Sequence, residues 1–469
     1  MFKKVFLTIL ISTLLIFIAL LAGGFYLYKT GYLQKQAVEY VEQQIYSTQD
    51  VGQSNLLSDL LGYTEPKNYL LLFLNNTEIR PGGGFIGSYG VVTLDQGKSD
   101  ILKIEGTEII DNLAPDFVSV PPDPLINFLK IDRWSFRDSN WSPDFYESTK
   151  KSLELYGKEN GLLSGNIDAV FAFTPTVIEE VLKIAGPIEV DGIVFNAENF
   201  TEVLEYEVEY GFQDKGVHFS DRKDLLADLG PILLNKVKTS ALLNWSEYLK
   251  LFEDMAEQKQ VMIYSENEDW QKIIEIKNLD GRIKKTDGDY LLWADANLGA
   301  LKTDVAIKRT LDYKIYPVEP KKYLAEVEMV YEHTGEFSWR VSRYIDYARI
   351  FVPAGSQSVD TENLKDFAEG EYLDLTWMGA SIIIEPGQTK SLKFSYYLSD
   401  DIVEDIENGN YNLLVQKELG LVGAGLTLNM DFGKKITDAE PNEESEYWGD
   451  NIYNYHTDLK VDKSFNIKL

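Results

Sequence analysis

The residues best suited to chemistry fall in two stretches. The first is Asn75-Asn76-Thr77-Glu78-Ile79-Arg80-Pro81-Gly82-Gly83-Gly84-Phe85-Ile86-Gly87-Ser88-Tyr89-Gly90. It follows an apolar run that reads as a strand. A Gly-rich loop in that position presents backbone N–H groups with no side chains in front of them, and such loops cradle oxyanions. Arg80 adds a planar fork that matches phosphate. A wide turn between two strands, tied down by Asn75 and Asn76, explains the same residues, and both readings stay open. Gly82 to Gly87 also spells G-x-G-x-x-G. A dinucleotide site requires a helix next, whereas Val91-Val92-Thr93-Leu94 reads as a strand, so that reading is set aside.

The second stretch is Asp132-Arg133-Trp134-Ser135-Phe136-Arg137-Asp138-Ser139-Asn140-Trp141-Ser142-Pro143-Asp144-Phe145. Arg and Asp flanked by Trp fit a carbohydrate or phospho-sugar cleft, where rings stack and charges orient. They fit equally well a structural Arg–Asp network under a loop, and Asp144 in a first helical turn is favourable with the helix dipole alone. The candidate phosphate site comprises Asn75, Asn76, Arg80, Gly83, Gly84, Arg137, Asp138 and Asp144. No catalytic residue is singled out. No Ser-His-Asp order with a nucleophile elbow occurs, and 75 acidic residues make chance carboxylate pairs common. His218, His333 and His456 are far apart and there is no Cys, so neither a metal site nor a cofactor is expected.

The elements that must position these residues follow from periodicity. Asn55–Leu61 reads as a short helix ended by Gly62. Tyr69–Leu74 is a continuous apolar run, the mark of a strand buried on both faces. Strands are expected at Gly90–Leu94 and Ile101–Glu105, with a turn at Asp95-Gln96-Gly97. Pro143 is expected to open a helix through Tyr156, with Gly157 just past its end. Asp168–Phe173 reads as a strand, Thr174-Pro175 starts a helix to Ile184, and Gly186-Pro187 stops it before a strand at Ile188–Val190. Further helices are expected at Ala197–Tyr210, Arg222–Lys238, Trp245–Gln258 and Asp269–Lys277. This alternation predicts an α/β or α+β domain. Beyond residue 303 the pattern becomes period two, as in Tyr323, Ala325, Val327, Met329 and Tyr331, which predicts an antiparallel β-sandwich. Asp438–Asp450 is expected as a surface loop.

At the N-terminus, Val5–Tyr28 carries no charged residue or His. As a helix at ~1.5 Å per residue it reaches roughly 36 Å, enough for a ~30 Å hydrocarbon core. Lys3 and Lys4 favour a cytoplasmic N-terminus. A cleaved signal peptide competes, but its apolar core is ~7–15 residues. The expectation is a single-pass anchor in the cell membrane with an extracytoplasmic bulk. Leu33–Tyr46 reads as a stalk helix. The formal net charge of −30 repels phosphate backbones, which argues against a nucleic-acid partner. The expected organisation is 1–30 cytoplasmic tip and anchor, 31–63 helical stalk, 64–302 α/β domain and 303–469 β-sandwich.

Tyr69–Gly90, Arg137-Asp138-Ser139-Asn140-Trp141-Ser142-Pro143-Asp144-Phe145, Asp168–Pro187, Asp221-Arg222-Lys223 and Asn297–Asp304 together resemble the signature of the bacterial domain-of-unknown-function 4012 family. The resemblance spans most of residues 60–355 and implies a single-span, surface-exposed bacterial protein without an established activity. The order of strand, Arg-containing Gly-rich loop, two strands and Arg-Asp, with the unit Asp168–Gly192, is more distantly similar to the LytR-CpsA-Psr phosphotransferases. That similarity implies arginines gripping a polyprenyl pyrophosphate and carboxylates holding magnesium, with Arg80, Arg137 and Asp138 at the phosphate. Carboxylates of that family stand where this chain has Asn75 or Asn76 and Gly87-Ser88, and amides bind a hard cation less well.

Two functions are therefore expected. One is an envelope protein that binds a glycan or lipid-linked phospho-sugar, with the sandwich contacting other surface components. The alternative is a membrane-proximal phosphotransferase or pyrophosphatase acting on polyprenyl-pyrophosphate-linked wall polymers, with Mg²⁺ as its cofactor.

Overall fold

The structure is a computed structural model that describes residues 56–469 apart from 115–116, 215, 217, 219–221 and 223. The expected membrane span Val5–Tyr28 and the stalk helix Leu33–Tyr46 lie outside the described residues. Among the described residues no helix is long and apolar enough to cross a membrane. The fold is mixed α/β with several sheets, consistent with an α/β region and a sandwich-like region.

After the short helix α1 (Leu56–Leu60), the chain enters β1 (Lys67–Asn75), β2 (Phe85–Asp95) and β3 (Lys98–Gly106). Later it adds β4 (Ala169–Phe173), the ribbon β5 (Ile188–Val190) and β6 (Ile193–Phe195), and β7 (Val261–Ser265). The first sheet runs β3-β2-β1-β4-β7. The strand β1 pairs antiparallel with β2 and parallel with β4, so it is central. Its apolar run is explained by cores on both faces. Tyr69 packs with Phe171, Trp270 and Ile263 on one side, and Leu70, Leu72 and Leu74 pack with Phe136, Phe145 and Tyr156 on the other. Gln96 and Gly97, both at positive φ, close β2 onto β3 in a two-residue turn, which matches the right-handed twist of a hairpin.

The helix α2 (Thr107–Asp111) precedes α3 (Phe145–Lys158). The latter begins two residues after the expected Pro143, because Asp144 is its N-cap and accepts from the Glu147 N–H. Gly157 lies within it rather than beyond it. The helix α4 (Pro175–Ala185) starts at Pro175 and is capped by Gly186, as the sequence implied. The expected helix Ala197–Tyr210 resolves into α5 (Phe200–Tyr206) and a π-helical turn Glu207–Gly211. The two helices expected at 222–238 and 245–258 form α6 (Asp224–Glu257), broken only by non-helical backbone at Asn244. The helix α7 (Glu268–Ile276) follows β7, a strand the periodicity had not indicated.

The sandwich-like region contains β8 (Asp289–Ala294), β9 (Ile307–Glu319), β10 (Lys322–His333), β11 (Tyr344–Pro353), β12 (Gln357–Val359), β13 (Ala368–Tyr372), β14 (Leu375–Ile384), β15 (Thr389–Tyr397), β16 (Asn410–Gln416), β17 (Gly425–Asp431), β18 (Asp438–Glu440), β19 (Ile452–Asp458) and β20 (Lys463–Lys468), with α8 (Asp400–Glu407) between β15 and β16. One sheet runs β12-β15-β10-β9-β17-β19 and the other β13-β14-β11-β8-β16-β20-β18. They share one core that includes Leu311, Tyr313, Val327 and Phe394 from the first and Ile350, Ala380 and Leu413 from the second. The middle of the second sheet is β8, which lies before residue 303 and so before the expected start of the sandwich. All six of its residues are buried, so it lacks the alternation that marked the strands after it. Of the segment Asp438–Asp450, expected as a loop, the first three residues form the edge strand β18 on β20.

Candidate functional site

The loop joining β1 to β2 is built by its own side chains. Asn75 Oδ1 accepts from the Thr77 N–H (3.1 Å) and hydroxyl (2.7 Å). Asn76 Nδ2 donates to the Thr176 hydroxyl and to the Gly420 carbonyl, both at 3.0 Å. The Gly82 N–H donates to the Asn140 carbonyl (3.0 Å), and the Gly83 and Gly84 N–H groups donate to the Arg80 carbonyl at 2.8 and 3.2 Å. Asn140 Nδ2 closes the loop on the Gly84 carbonyl (2.6 Å). The expectation that these glycines cradle an oxyanion is corrected: their N–H groups already have partners. Asn75, Asn76, Gly83 and Gly84 shape the loop and do not line the cleft beside it. Asp144 is likewise structural. Its Oδ1 caps α3 at 3.0 Å, and its Oδ2 accepts from the Ile283 N–H at 2.9 Å.

Arg80, Arg137 and Asp138, by contrast, line one cleft of about 680 Å³. Its charged lining is completed by Glu78, Lys130, Asp132 and Arg133, and its apolar lining is Phe85, Phe117, Val118, Leu129 and Ile131. Arg80 is only 2% exposed. Its guanidinium donates to the carbonyls of Ile79 (3.2 Å) and Asn297, and ion-pairs with Glu78 (3.4 Å) and Asp138 (3.5 Å). It stands 5.3 Å from the Phe85 ring centroid. Arg137 is more open, at 35% side-chain exposure, and its Nε pairs with Asp111. Arg133 donates to the carbonyls of Asp111 (2.5 Å) and Ala114 (3.1 Å) and lies over the Phe117 ring.

Two buried polar atoms of the cleft residues make or receive no hydrogen bond: Arg80 Nε, and Asp138 Oδ1, whose contact is the 3.5 Å ion pair with Arg80 Nη2. Burial also raises the pKa values of Glu78 and Asp138. The Arg80 charge opposes the shift in both, joined by Lys302 for Glu78 and Arg137 for Asp138. The exposed part of the lining mixes apolar and charged side chains: Val118 is 83% exposed, and Lys130 and Asp132 are exposed beside it. The two tryptophans of the second stretch point to structural duties. Trp134 Nε1 donates to the Asp138 carbonyl (2.7 Å), and Trp141 lies under the Arg349 guanidinium at 4.4 Å. The cleft residues not singled out in the sequence as site candidates are Glu78, Lys130, Asp132, Arg133, Ser135 and the apolar side chains. Glu78 and Arg133 do lie inside the two stretches, two and four residues from Arg80 and Arg137. Nothing in the local sequence marked Phe117 or Val118.

The fit of a magnesium ion is poor. Glu78 and Asp138 both face Arg80, and among the described residues no three His, Asp or Glu side chains stand together as a cation-holding group.

The architecture and this cleft describe an α/β segment joined to a β-sandwich-like region. Residues 64–208 match the model of the family described as "Protein of unknown function (DUF4012)", in agreement with the resemblance carried by Tyr69–Gly90 and Arg137–Phe145. No curated protein matches. Among solved structures, protein gbs0355 from Streptococcus agalactiae is 15% identical, with 48% of this chain and 78% of that chain covered and a TM-score of 0.30. The Lin1025 protein from Listeria innocua is also 15% identical, with 46% of this chain and 79% of that chain covered and a TM-score of 0.24.

Proposed function

We propose that this chain is a membrane-anchored bacterial envelope protein whose cleft binds a glycan or lipid-linked phospho-sugar. The observation that carries the reading lies at Arg80 and Asp138, which line one cleft: Arg80 Nε is a buried donor without an acceptor, and Asp138 Oδ1 is a buried acceptor that receives no hydrogen bond and holds only the 3.5 Å ion pair with Arg80 Nη2. Such groups cost roughly 1–3 kcal/mol each when unmet. A ligand bearing both a donor and an acceptor, such as a sugar hydroxyl or a singly protonated phosphate, satisfies them together. Arg133, Arg137 and Lys130 favour an anionic ligand in a chain that is otherwise strongly acidic. The apolar part of the lining, Phe117, Val118, Leu129 and Ile131, suits the lipid end of an amphiphile.

The convergence of Arg80 and Arg137 with Glu78 and Asp138 also supports the second reading, phosphotransfer or pyrophosphate hydrolysis on a polyprenyl-linked substrate. Both carboxylates already ion-pair with Arg80, which leaves neither as a free general base, so binding without turnover is the better supported of the two.

Calorimetric titration of the detergent-solubilised full chain with polyprenyl pyrophosphate, inorganic pyrophosphate and a neutral oligosaccharide tests this. Binding of the lipid-linked ligand that is weakened by salt supports the reading. No binding of any of the three defeats it, and release of phosphate from the lipid favours the enzymatic alternative.

A further inference from the structure

Behind the cleft wall, Asp111 ends α2 and Glu159 caps the C-terminus of α3, and both are buried, Glu159 completely. Asp111 spends Oδ2 on Arg137 Nε. Glu159 spends Oε1 on the Phe136 N–H at 3.1 Å. Their remaining oxygens, Asp111 Oδ1 and Glu159 Oε2, are both buried and receive nothing from any N–H or hydroxyl, while the two side chains lie within hydrogen-bonding reach of each other. Two carboxylates are acceptors only, so such a pair bonds only when one of them carries a proton.

We propose that Asp111 and Glu159 hold one shared proton at neutral pH, and that losing it in alkali weakens the cleft toward anions through Arg137. With the proton present, Glu159 donates to Asp111, and Asp111 is the charged partner of Arg137. Release of the proton to water leaves two like charges in contact behind the cleft. The second negative charge offsets Arg137 and repels an anionic ligand. Burial first, then the neighbouring Asp111, pushes the Glu159 carboxyl up to about 8, against the Phe136 N–H and Arg133, which work the other way. The groups facing the pair are Arg133, Arg137 and Asp138 from the segment before α3, and Tyr89 of β2, whose hydroxyl bonds Glu105 of β3. Only the two arginines among them oppose a second negative charge. The link to the cleft rests on the reading of that cleft as an anion site; the shared proton does not.

Two measurements on the full chain separate these parts. Infrared difference spectra of wild type against Glu159→Gln should contain a protonated-carboxyl band at pH 7 that disappears near pH 8. Asp111→Asn, which removes the like charge, should move that disappearance to lower pH, and it supplies the second comparison where Glu159→Gln folds poorly. Absence of such a band at pH 7 in both comparisons overturns the shared proton. Affinity for inorganic pyrophosphate should fall about fivefold between pH 7 and 9.5 in wild type, the scale of one added charge behind the site at high effective dielectric. In Glu159→Gln, whose amide mimics the protonated acid, it should stay level. An equal fall in both overturns the coupling. Failure of pyrophosphate to bind at pH 7 defeats the anion-site reading and the coupling with it, and the infrared result still decides the proton.

Discussion

Arg80 donates across the fold to the backbone carbonyl of Asn297, 217 residues later in the chain. The contact is reciprocated: the Asn297 N–H donates to the Ile79 carbonyl (3.1 Å), and Asp304 accepts from the Ile79 N–H (3.1 Å) while its own N–H reaches the Thr77 carbonyl (3.3 Å). Asn297 and Asp304 are themselves joined at 2.8 Å. The signature residues of the glycine-rich loop and of Asn297–Asp304 are therefore two halves of one buried joint.

Replacing Arg80 by Met should cost about 3–5 kcal/mol of stability, because Glu78, Asp138 and the Asn297 carbonyl would lose a common buried partner. Arg80→Lys should recover little, since an ammonium cannot reproduce the fork that meets carbonyls and carboxylates at once. Denaturant unfolding measures both. A loss under 1 kcal/mol for Arg80→Met would contradict the joint.

Arg137→Ala should weaken binding of a phosphate-bearing ligand by more than tenfold. Its stability cost, about 2 kcal/mol, should be below that of Arg80→Met, because water reaches this partly exposed site and re-solvates Asp111. Titration calorimetry alongside unfolding separates the two effects, and unchanged affinity would remove Arg137 from the site.

Asp144→Ala should do the reverse. It removes the cap of α3 and leaves the Ile283 N–H without its acceptor, for a loss of about 2 kcal/mol. Ligand affinity should stay within about twofold, as Asp144 does not line the cleft. A binding defect without a stability defect would return Asp144 to the ligand site.

Gly84→Ala should also destabilise the protein, by about 2 kcal/mol or more. Gly84 has φ +128°, and an added Cβ would stand 2.6 Å from the Asn75 carbonyl oxygen. Both the backbone conformation and the contact exclude a side chain. Thermal melting of the variant checks this.

Stability should decline as pH rises above about 4. Burial raises the Asp280 carboxyl to about 6 and the Glu159 carboxyl to about 8. A carboxyl with a raised folded pKa binds its proton more tightly in the native state. The stability it contributes is complete below its unfolded value near 4 and is lost as pH climbs to the folded one. Asp280→Asn should flatten the stability profile between about pH 4 and 6, and Glu159→Gln between about pH 4 and 8. Asp462, lowered by Lys259 and Lys284 despite its burial, acts with the opposite sign at lower pH.

Much of the fold was legible in the sequence. The run Tyr69–Leu74 announced a strand buried on both faces, Thr174-Pro175 and Gly186 bounded a helix, and the alternation from Tyr323 to Tyr331 announced a half-buried strand. These are local signals, because side-chain periodicity and terminal residues act within one element. Strands β7 and β8 are buried along their whole length, and short apolar runs of that kind, without alternation or clear turn signals on both sides, read equally as pieces of buried helix. The two stretches of candidate residues were also visible, as unusual densities of Gly, Arg, Asp and Trp.

What each candidate does was decided by tertiary structure alone. The glycine N–H groups are spent on Asn140 and Arg80, Asn76 on Thr176 and Gly420, and Asp144 on α3 and Ile283, whereas Arg137 and Asp138 turn to the cleft. Glu159 gave no sign in the sequence of sitting against Asp111. The physical reason is that a polar group's role depends on who shares its hydrogen bonds and how much water reaches it. Some of those partners are local, as Arg80 is to Gly83 and Gly84 and Glu147 is to Asp144, but Asn140, Thr176, Ile283 and Gly420 arrive from distant parts of the chain, up to 344 residues away, only after the sheets have closed.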